Sequence, residues 1–240
     1  MLELNKIKRL MVVVAHPDDE LLGIGGTLYK LKSETNCTIK VVILGEGITS
    51  RSFDRNSEES KLKLKRHKQN IISAKNIIGY DELVTYQFPD NQFDTLPLLS
   101  IIKAIEKEKN KFKPEIVFTH HIGDVNIDHQ LTFQAVNTAF RSQPKEYYRG
   151  LLTFETPSGT EWIPSNDLRK FNPNIFIELK EEQIEKKTSA MQCYDFEKRN
   201  FPHPRSPKAL KNRAMMWGVS VGVSFAEPFQ LIKYIHRDGN

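Results

Sequence analysis

The sequence lacks the marks of a secreted, membrane-inserted or phosphate-cradling protein. It has two cysteines, Cys37 and Cys193. They form no metal-like spacing and are too few for a disulfide framework, so reduced thiols in a cytosolic protein are expected. Long apolar runs are missing too. The only N-terminal one spans six residues, Leu10 to Ala15, and leads straight into charge. A signal peptide needs a longer apolar region and a membrane span about 20 residues, so a cytoplasmic protein with no transmembrane segment is predicted. Neither G-x-G-x-x-G nor G-x-x-x-x-G-K followed by Ser or Thr occurs, which argues against a nucleotide-binding oxidoreductase or a P-loop protein. Repeats, low-complexity tracts and shifts of composition are absent, and 240 residues suit a single domain over 1–240.

A strong excess of one sign of charge is missing as well. The net charge is +5, and much of the excess is lysine (Lys61, Lys63, Lys65, Lys68) on a helical stretch with no interleaved aromatic residues. That pattern reads as a solvated helix face, with no nucleic-acid partner.

What is present centres on Leu10 to Thr27, LMVVVAHPDDELLGIGGT. Leu10 to Ala15 is short and valine-rich, which suits a strand buried on both faces. It stops at His16-Pro17-Asp18-Asp19-Glu20, so a histidine and three carboxylates sit at the strand's C-terminal end, where open α/β sheets place their ligand crevice. Like charges this close repel unless a cation or hydrogen-bond donors offset them; a divalent metal is the expected cation.

Further strands are predicted at Thr38–Leu44, Leu83–Phe88, Glu115–Thr119, Gly150–Glu155 and Ile175–Leu179. Helices are predicted at Glu20–Lys32, from an N-cap at Ser57 to Ile78 with Gly79 as C-cap, and at Leu96–Phe112, Asp128–Arg141, Glu181–Tyr194 and Pro207–Trp217. Gly23, Gly25 and Gly26 would let the first helix approach sheet or ligand closely. Strand and helix alternate through the first half, which predicts an α/β fold with a mostly parallel, doubly wound sheet flanked by helices. Its strand C-termini would share one edge.

That edge would carry a second polar loop after the fourth strand, His120-His121 followed by Gly123-Asp124-Val125-Asn126-Ile127-Asp128-His129. His16 and Asp19, three apart, suit zinc, and a catalytic zinc takes three protein ligands. His129 is the best third candidate, because Asp128 beside it can order the helix start.

AHPDDELLGIGGT together with THH…GDVNIDHQ resembles the PIG-L/LmbE-like family of zinc-dependent de-N-acetylases, which act on N-acetylglucosaminyl conjugates. GEGITSR, FPDNQFDTLPLL, FETPSGTEW and VSFAEPF are similar to family segments too. The resemblance implies a single Rossmann-like domain, a small-molecule N-acetylated sugar conjugate as partner, and Zn2+, or another divalent metal in its place, as cofactor. Relatives commonly assemble, so a homo-oligomer is among the arrangements it implies. By position, the family's zinc ligands fall on His16, Asp19 and His129, and its general base on Asp18.

One position departs from the pattern. Many members have a histidine three residues before the last zinc ligand, and here it is Asn126. Its amide can donate to an oxyanion but cannot shuttle a proton. Asp18 would then handle both transfers, or His120 or His121 would assist. Asp18, Asn126 and Asp128 are thus the catalytic candidates, and Arg51, Asp90, His120 and His121 the substrate-binding ones. Glu155 could also reach the site, and Glu20 could orient a ligand or cap its helix. Trp162 and Trp217 are expected as core or rim residues. His67, His203 and His236 are expected on the surface, as is the loop Phe201–Pro207. The rival within the same family is a catalytically impaired glycoconjugate binder.

Overall fold

Residues 3–49, 57–144 and 146–236 are described by a computed structural model. The apolar run near the N-terminus forms β1 (Arg9–Val14), and every residue from Leu10 to Val14 is buried. Successive side chains point to opposite faces of a strand, so Leu10, Val12 and Val14 enter one core while Met11, Val13 and Ala15 enter the other.

The first core lies under α1 (Asp19–Glu34), α2 (Glu58–Ile78), α5 (Glu181–Met191) and α6 (Pro207–Ser220). The second lies under α3 (Leu98–Phe112) and α4 (Ile127–Ala139). Between them runs a seven-stranded sheet in the order β3-β2-β1-β4-β5-β7-β6. The other strands are β2 (Thr38–Gly45), β3 (Glu82–Phe88), β4 (Ile116–His120), β5 (Gly150–Phe154), β6 (Ile175–Leu179) and β7 (Phe225–Tyr234). β3, β2, β1, β4 and β5 are parallel, and β7 is antiparallel to both β5 and β6. Strand order reverses between β1 and β4. That pair flanks the switch point where doubly wound sheets open a crevice, and it carries both polar loops.

Most predicted elements stand within a few residues of their expected limits. Ser57 caps α2 by accepting from Ser60 N at 3.2 Å, and Gly79 ends it at φ 86°. β7 is not among the predicted strands, because Glu227 and Pro228 interrupt its apolar pattern. Glu227 is nonetheless buried: its two oxygens accept from Gly26 N at 3.0 Å and Thr27 N at 2.7 Å. Lys187 Nζ lies 2.6 Å from Glu227 and donates to Leu22 O at 2.9 Å. This approach is why glycine stands in α1. A Cβ on Gly26 would come 2.6 Å from Leu179 Cδ1, and one on Gly23 2.1 Å from the Phe154 ring. Among the described residues, no helix is long and apolar enough to cross a membrane.

Candidate metal centre and active site

β1 ends at the switch point and hands the chain to Pro17 and then Asp18, a non-glycine residue at φ 100°. The Asp18 carbonyl accepts from Leu21 N and Leu22 N, both at 2.9 Å, which starts α1. Asp19 thereby turns back under His16, whose backbone N donates to Asp19 Oδ2 at 2.8 Å. From the second loop, Asn126 caps α4 and sets His129 in its first turn: Asn126 Oδ1 accepts from Asp128 N at 2.8 Å and His129 N at 3.4 Å.

The two loops meet. Asp19 Oδ2 lies 3.4 Å from His16 Nδ1 and 3.3 Å from His129 Nε2, and all three residues are buried with ligand atoms within 4.8 Å of one another. Bonds of about 2.0–2.1 Å at a tetrahedral angle set ligand atoms roughly 3.3 Å apart. The nitrogen–oxygen donor set and its spacing therefore fit a zinc-type ion.

Each imidazole has a carboxylate behind it. His16 Nε2 is 2.8 Å from Asp128 Oδ2 and 3.3 Å from Asp90 Oδ1; His129 Nδ1 is 3.2 Å from Asp124 Oδ2. Asp128 is itself anchored by Asn91 N at 2.7 Å and Phe93 N at 2.9 Å. Such partners fix the ring orientation of metal-binding histidines. Burial disfavours charge on these rings, but the carboxylates outweigh it: His129 rises to about 9, and Asp128, Asp19 and Asp90 hold His16 well above the ordinary imidazole range. Asp19 is held low despite its burial by His129 and His120. Burial raises Asp18 well above the carboxylate range, against the pull of Arg205, and it raises Glu20 to about 7.

The predicted substrate residues divide. Asp90 is buried beside His16 and lines a cavity of about 90 Å³ with Asp18, Asp19, Asn91 and Asn126. His120 is fully buried below it, 3.9 Å from His129 and parallel to within 10°. Its Nε2 accepts from Ala15 N at 2.9 Å, so its proton sits on Nδ1, 3.0 Å from Thr156 Oγ1. Burial and the neighbouring His129 push it down to about 4, which favours the neutral ring. His121 turns away, its Nε2 2.7 Å from Arg169 O. Arg51 lies outside the described residues.

Glu155 does not reach the cluster. It takes Arg213 Nε at 2.6 Å, Arg213 Nη2 at 2.7 Å and Trp217 Nε1 at 2.7 Å. Trp162 is exposed. Glu20 accepts from Tyr194 Oη at 2.7 Å and from Asp18 N at 3.1 Å, behind the turn that carries Asp18.

One surface expectation fails and another needs qualifying. His67 is buried against Tyr194 and Phe196 and borders the cavity, because α2 leans that face onto the segment after α5. Its other side, with Pro17, borders a larger cavity of about 270 Å³ against α2 and β3 that holds none of the predicted site residues. The loop Phe201–Pro207 does lie at the surface, with Phe201 exposed, but it turns Arg205 inward and brings its Nη1 to 2.9 Å from Asp18 Oδ2. Arg205 and Glu197 had no spacing signal in the sequence; Asp124 did, as the acidic residue opening the DVNIDH turn.

The doubly wound α/β sheet thus carries, at its switch point, a buried His-Asp-His donor set that could hold a metal ion. The chain belongs to the PIG-L family, described as GlcNAc-PI de-N-acetylase, which matches residues 11–140. The uncharacterized deacetylase YaiS of Escherichia coli is 31% identical over 194 residues, 78% of this chain and 91% of that protein. Among solved structures, the N,N'-diacetylchitobiose deacetylase of Pyrococcus horikoshii superposes with a TM-score of 0.76 at 18% identity, covering 95% of this chain and 85% of its own. GalB, the 4-carboxy-2-hydroxymuconate hydratase of Pseudomonas putida, does so at 0.74 and 20%, covering 97% and 99%. Fold alone is thus shared by different chemistries.

Proposed function

We infer that the protein is a zinc-dependent hydrolase that removes the acetyl group from an N-acetylglucosamine-type amino sugar in a glycoconjugate. The observation that carries this reading is the meeting of Asp19 Oδ2 with His16 Nδ1 and His129 Nε2, at 3.4 and 3.3 Å, with Asp18 in the cavity that His16 and Asp19 line. Family membership supports amide hydrolysis over hydration. The free cysteines Cys37 and Cys193 support a cytoplasmic setting.

His16, Asp19 and His129 would hold zinc or another divalent ion, which when bound polarises an amide carbonyl and lowers the pKa of water towards about 7. Asp18 takes a proton from the attacking water, whose oxygen adds to the acetyl carbon. The oxyanion so formed accepts from Asn126 Nδ2, the cavity end of an amide whose oxygen is held by the start of α4. The carbon–nitrogen bond then breaks and the nitrogen takes the proton from Asp18, giving acetate and a free amine. Asp18 carries both transfers because Asn126 has no proton to give and His120 is neutral. The cavity lined by His16, Asp18, Asp19, Asp90, Asn91 and Asn126 would take the acetamido group, with the sugar beside Asp90 and Asn91.

The test is acetate release across a panel of N-acetylglucosaminyl conjugates, with added zinc and with chelator. Equimolar acetate and amine, lost with chelator and restored by zinc, are expected. Absence of acetate from every conjugate, or hydration of an unsaturated carboxylate instead, would overturn the reading.

A further inference from the structure

The Asp18 side chain is held from one direction. Arg205 Nη1 donates to Asp18 Oδ2 at 2.9 Å, and among the described residues no other group hydrogen-bonds that carboxylate. The backbone beneath it is clamped: the φ of 100° lies where only glycine, asparagine and aspartate sit readily. Its N–H is taken by Glu20 Oε2 at 3.1 Å, and its carbonyl starts α1. Main-chain geometry therefore fixes where Asp18 begins, and Arg205 fixes where it points.

Arg205 is well placed to do so. Its Nη1 also donates to Glu197 Oε2 at 3.0 Å, and its Nε donates to Ser158 Oγ at 2.6 Å. Its backbone N donates to His203 Nδ1 at 3.2 Å. The next residue, Ser206, caps α6 by accepting from Ala209 N at 3.2 Å. A guanidinium is a planar fork, so pinning Nε on one side and Nη1 on the other sets the direction of the bond to Asp18. A lysine has no second arm with which to reproduce this.

We propose that Arg205 is the positioning residue of the reaction: held by Ser158 and Glu197, it occupies Oδ2 of Asp18 and leaves Oδ1 directed at the attacking water. This rests on the assignment of Asp18 as the base. Glu197 and Ser158 serve the same bond at one remove.

The experiment compares wild type, Arg205→Met, Arg205→Lys, Asp18→Asn and the Arg205→Met/Asp18→Asn double variant, all zinc-loaded. A displacement of about 1 Å at a reacting group costs on the order of 100-fold. Arg205→Met should lower kcat by about that factor with KM within roughly threefold and zinc stoichiometry unchanged. Arg205→Lys should recover part of the loss, and carries the test if the methionine variant does not fold. A raised KM with intact kcat would make Arg205 a substrate contact and overturn the proposal, as would unchanged kinetics.

Thermal unfolding of the same set gives a readout without substrate. Arg205→Met should lower Tm more in the wild-type background than in Asp18→Asn, because neighbours that share a bond are not additive; equal drops overturn the pairing. Wild-type protein that releases no acetate would instead overturn the reading of Asp18, with the thermal cycle still reporting on the pair.

Discussion

Asp128 stands 2.8 Å from Nε2 of His16 and accepts from the backbone N–H groups of Asn91 and Phe93. The carboxylate is thus fixed by the chain before it fixes the ring, and Nδ1 of His16 is left to face Asp19. Loss of such a partner costs metal-binding proteins about 10–100-fold in affinity. Asp128→Asn should weaken zinc binding by a factor in that range, read by competition with a chelator of known affinity. An unchanged affinity would mean that Asp128 only orders the loop.

Asn126 has two tasks that substitutions separate. Its oxygen caps α4, and its amide nitrogen, 3.0 Å from Asn91 Oδ1, borders the cavity. Asn126→Asp keeps the cap and removes the donor; it should leave Tm nearly unchanged while kcat falls on the order of 100-fold. Asn126→Ala removes both and should also lose about 1 kcal/mol of stability by chemical denaturation.

The pH dependence of the metal-free protein has a definite sign. His129 is raised to about 9 by Asp19 and Asp124 against the cost of burial, from about 6.5 in an unfolded chain. A raised imidazole contributes stability that is whole below the unfolded value and is lost as pH climbs through the folded one. Glu20, raised to about 7 by burial, has the same sign, but its loss falls below and around pH 7, so it adds only at the lower end of the window. Tm of the metal-free protein should therefore fall from pH 6.5 to 9, and the zinc-loaded protein should show a flatter profile, because its imidazole nitrogens are given to the ion. A metal-free Tm that rises across this window would contradict the assignment.

The glycines of α1 predict a fold effect separate from chemistry. Gly26→Ala would set a Cβ 2.6 Å from Leu179 Cδ1 and 3.2 Å from Glu227 Oε1. Overpacking of this kind costs about 1–3 kcal/mol, measurable by thermal or urea denaturation.

Much of this site was legible in the sequence because its parts announce themselves locally. A valine-rich run ending in HPDDE suits a buried strand with an acidic mouth, and the NIDH turn has the form of a helix start. Parallel topology then brings strand ends to one edge, so His16 and His129 meet although they stand 113 positions apart. What stayed hidden depends on tertiary approach. Nothing in FPHPRSP says that Arg205 swings inward, since the reach comes from how α6 and the segment before it pack. His67 sits in a lysine-rich stretch whose helical face is decided by Tyr194 and Phe196, far along the chain. β7 escaped because Glu227 reads as a surface residue until Lys187 and the α1 backbone satisfy it.

The most direct measurement of the central claim joins metal content to turnover in one preparation. Wild-type protein, Asp19→Ala and Asp18→Ala would be assayed for zinc per chain and for acetate released from an N-acetylglucosaminyl conjugate. The wild type should bind one zinc and release acetate, Asp19→Ala should lose both, and Asp18→Ala should keep the zinc and lose the acetate. Acetate release that survives loss of the metal, or full zinc occupancy in Asp19→Ala, would contradict the account.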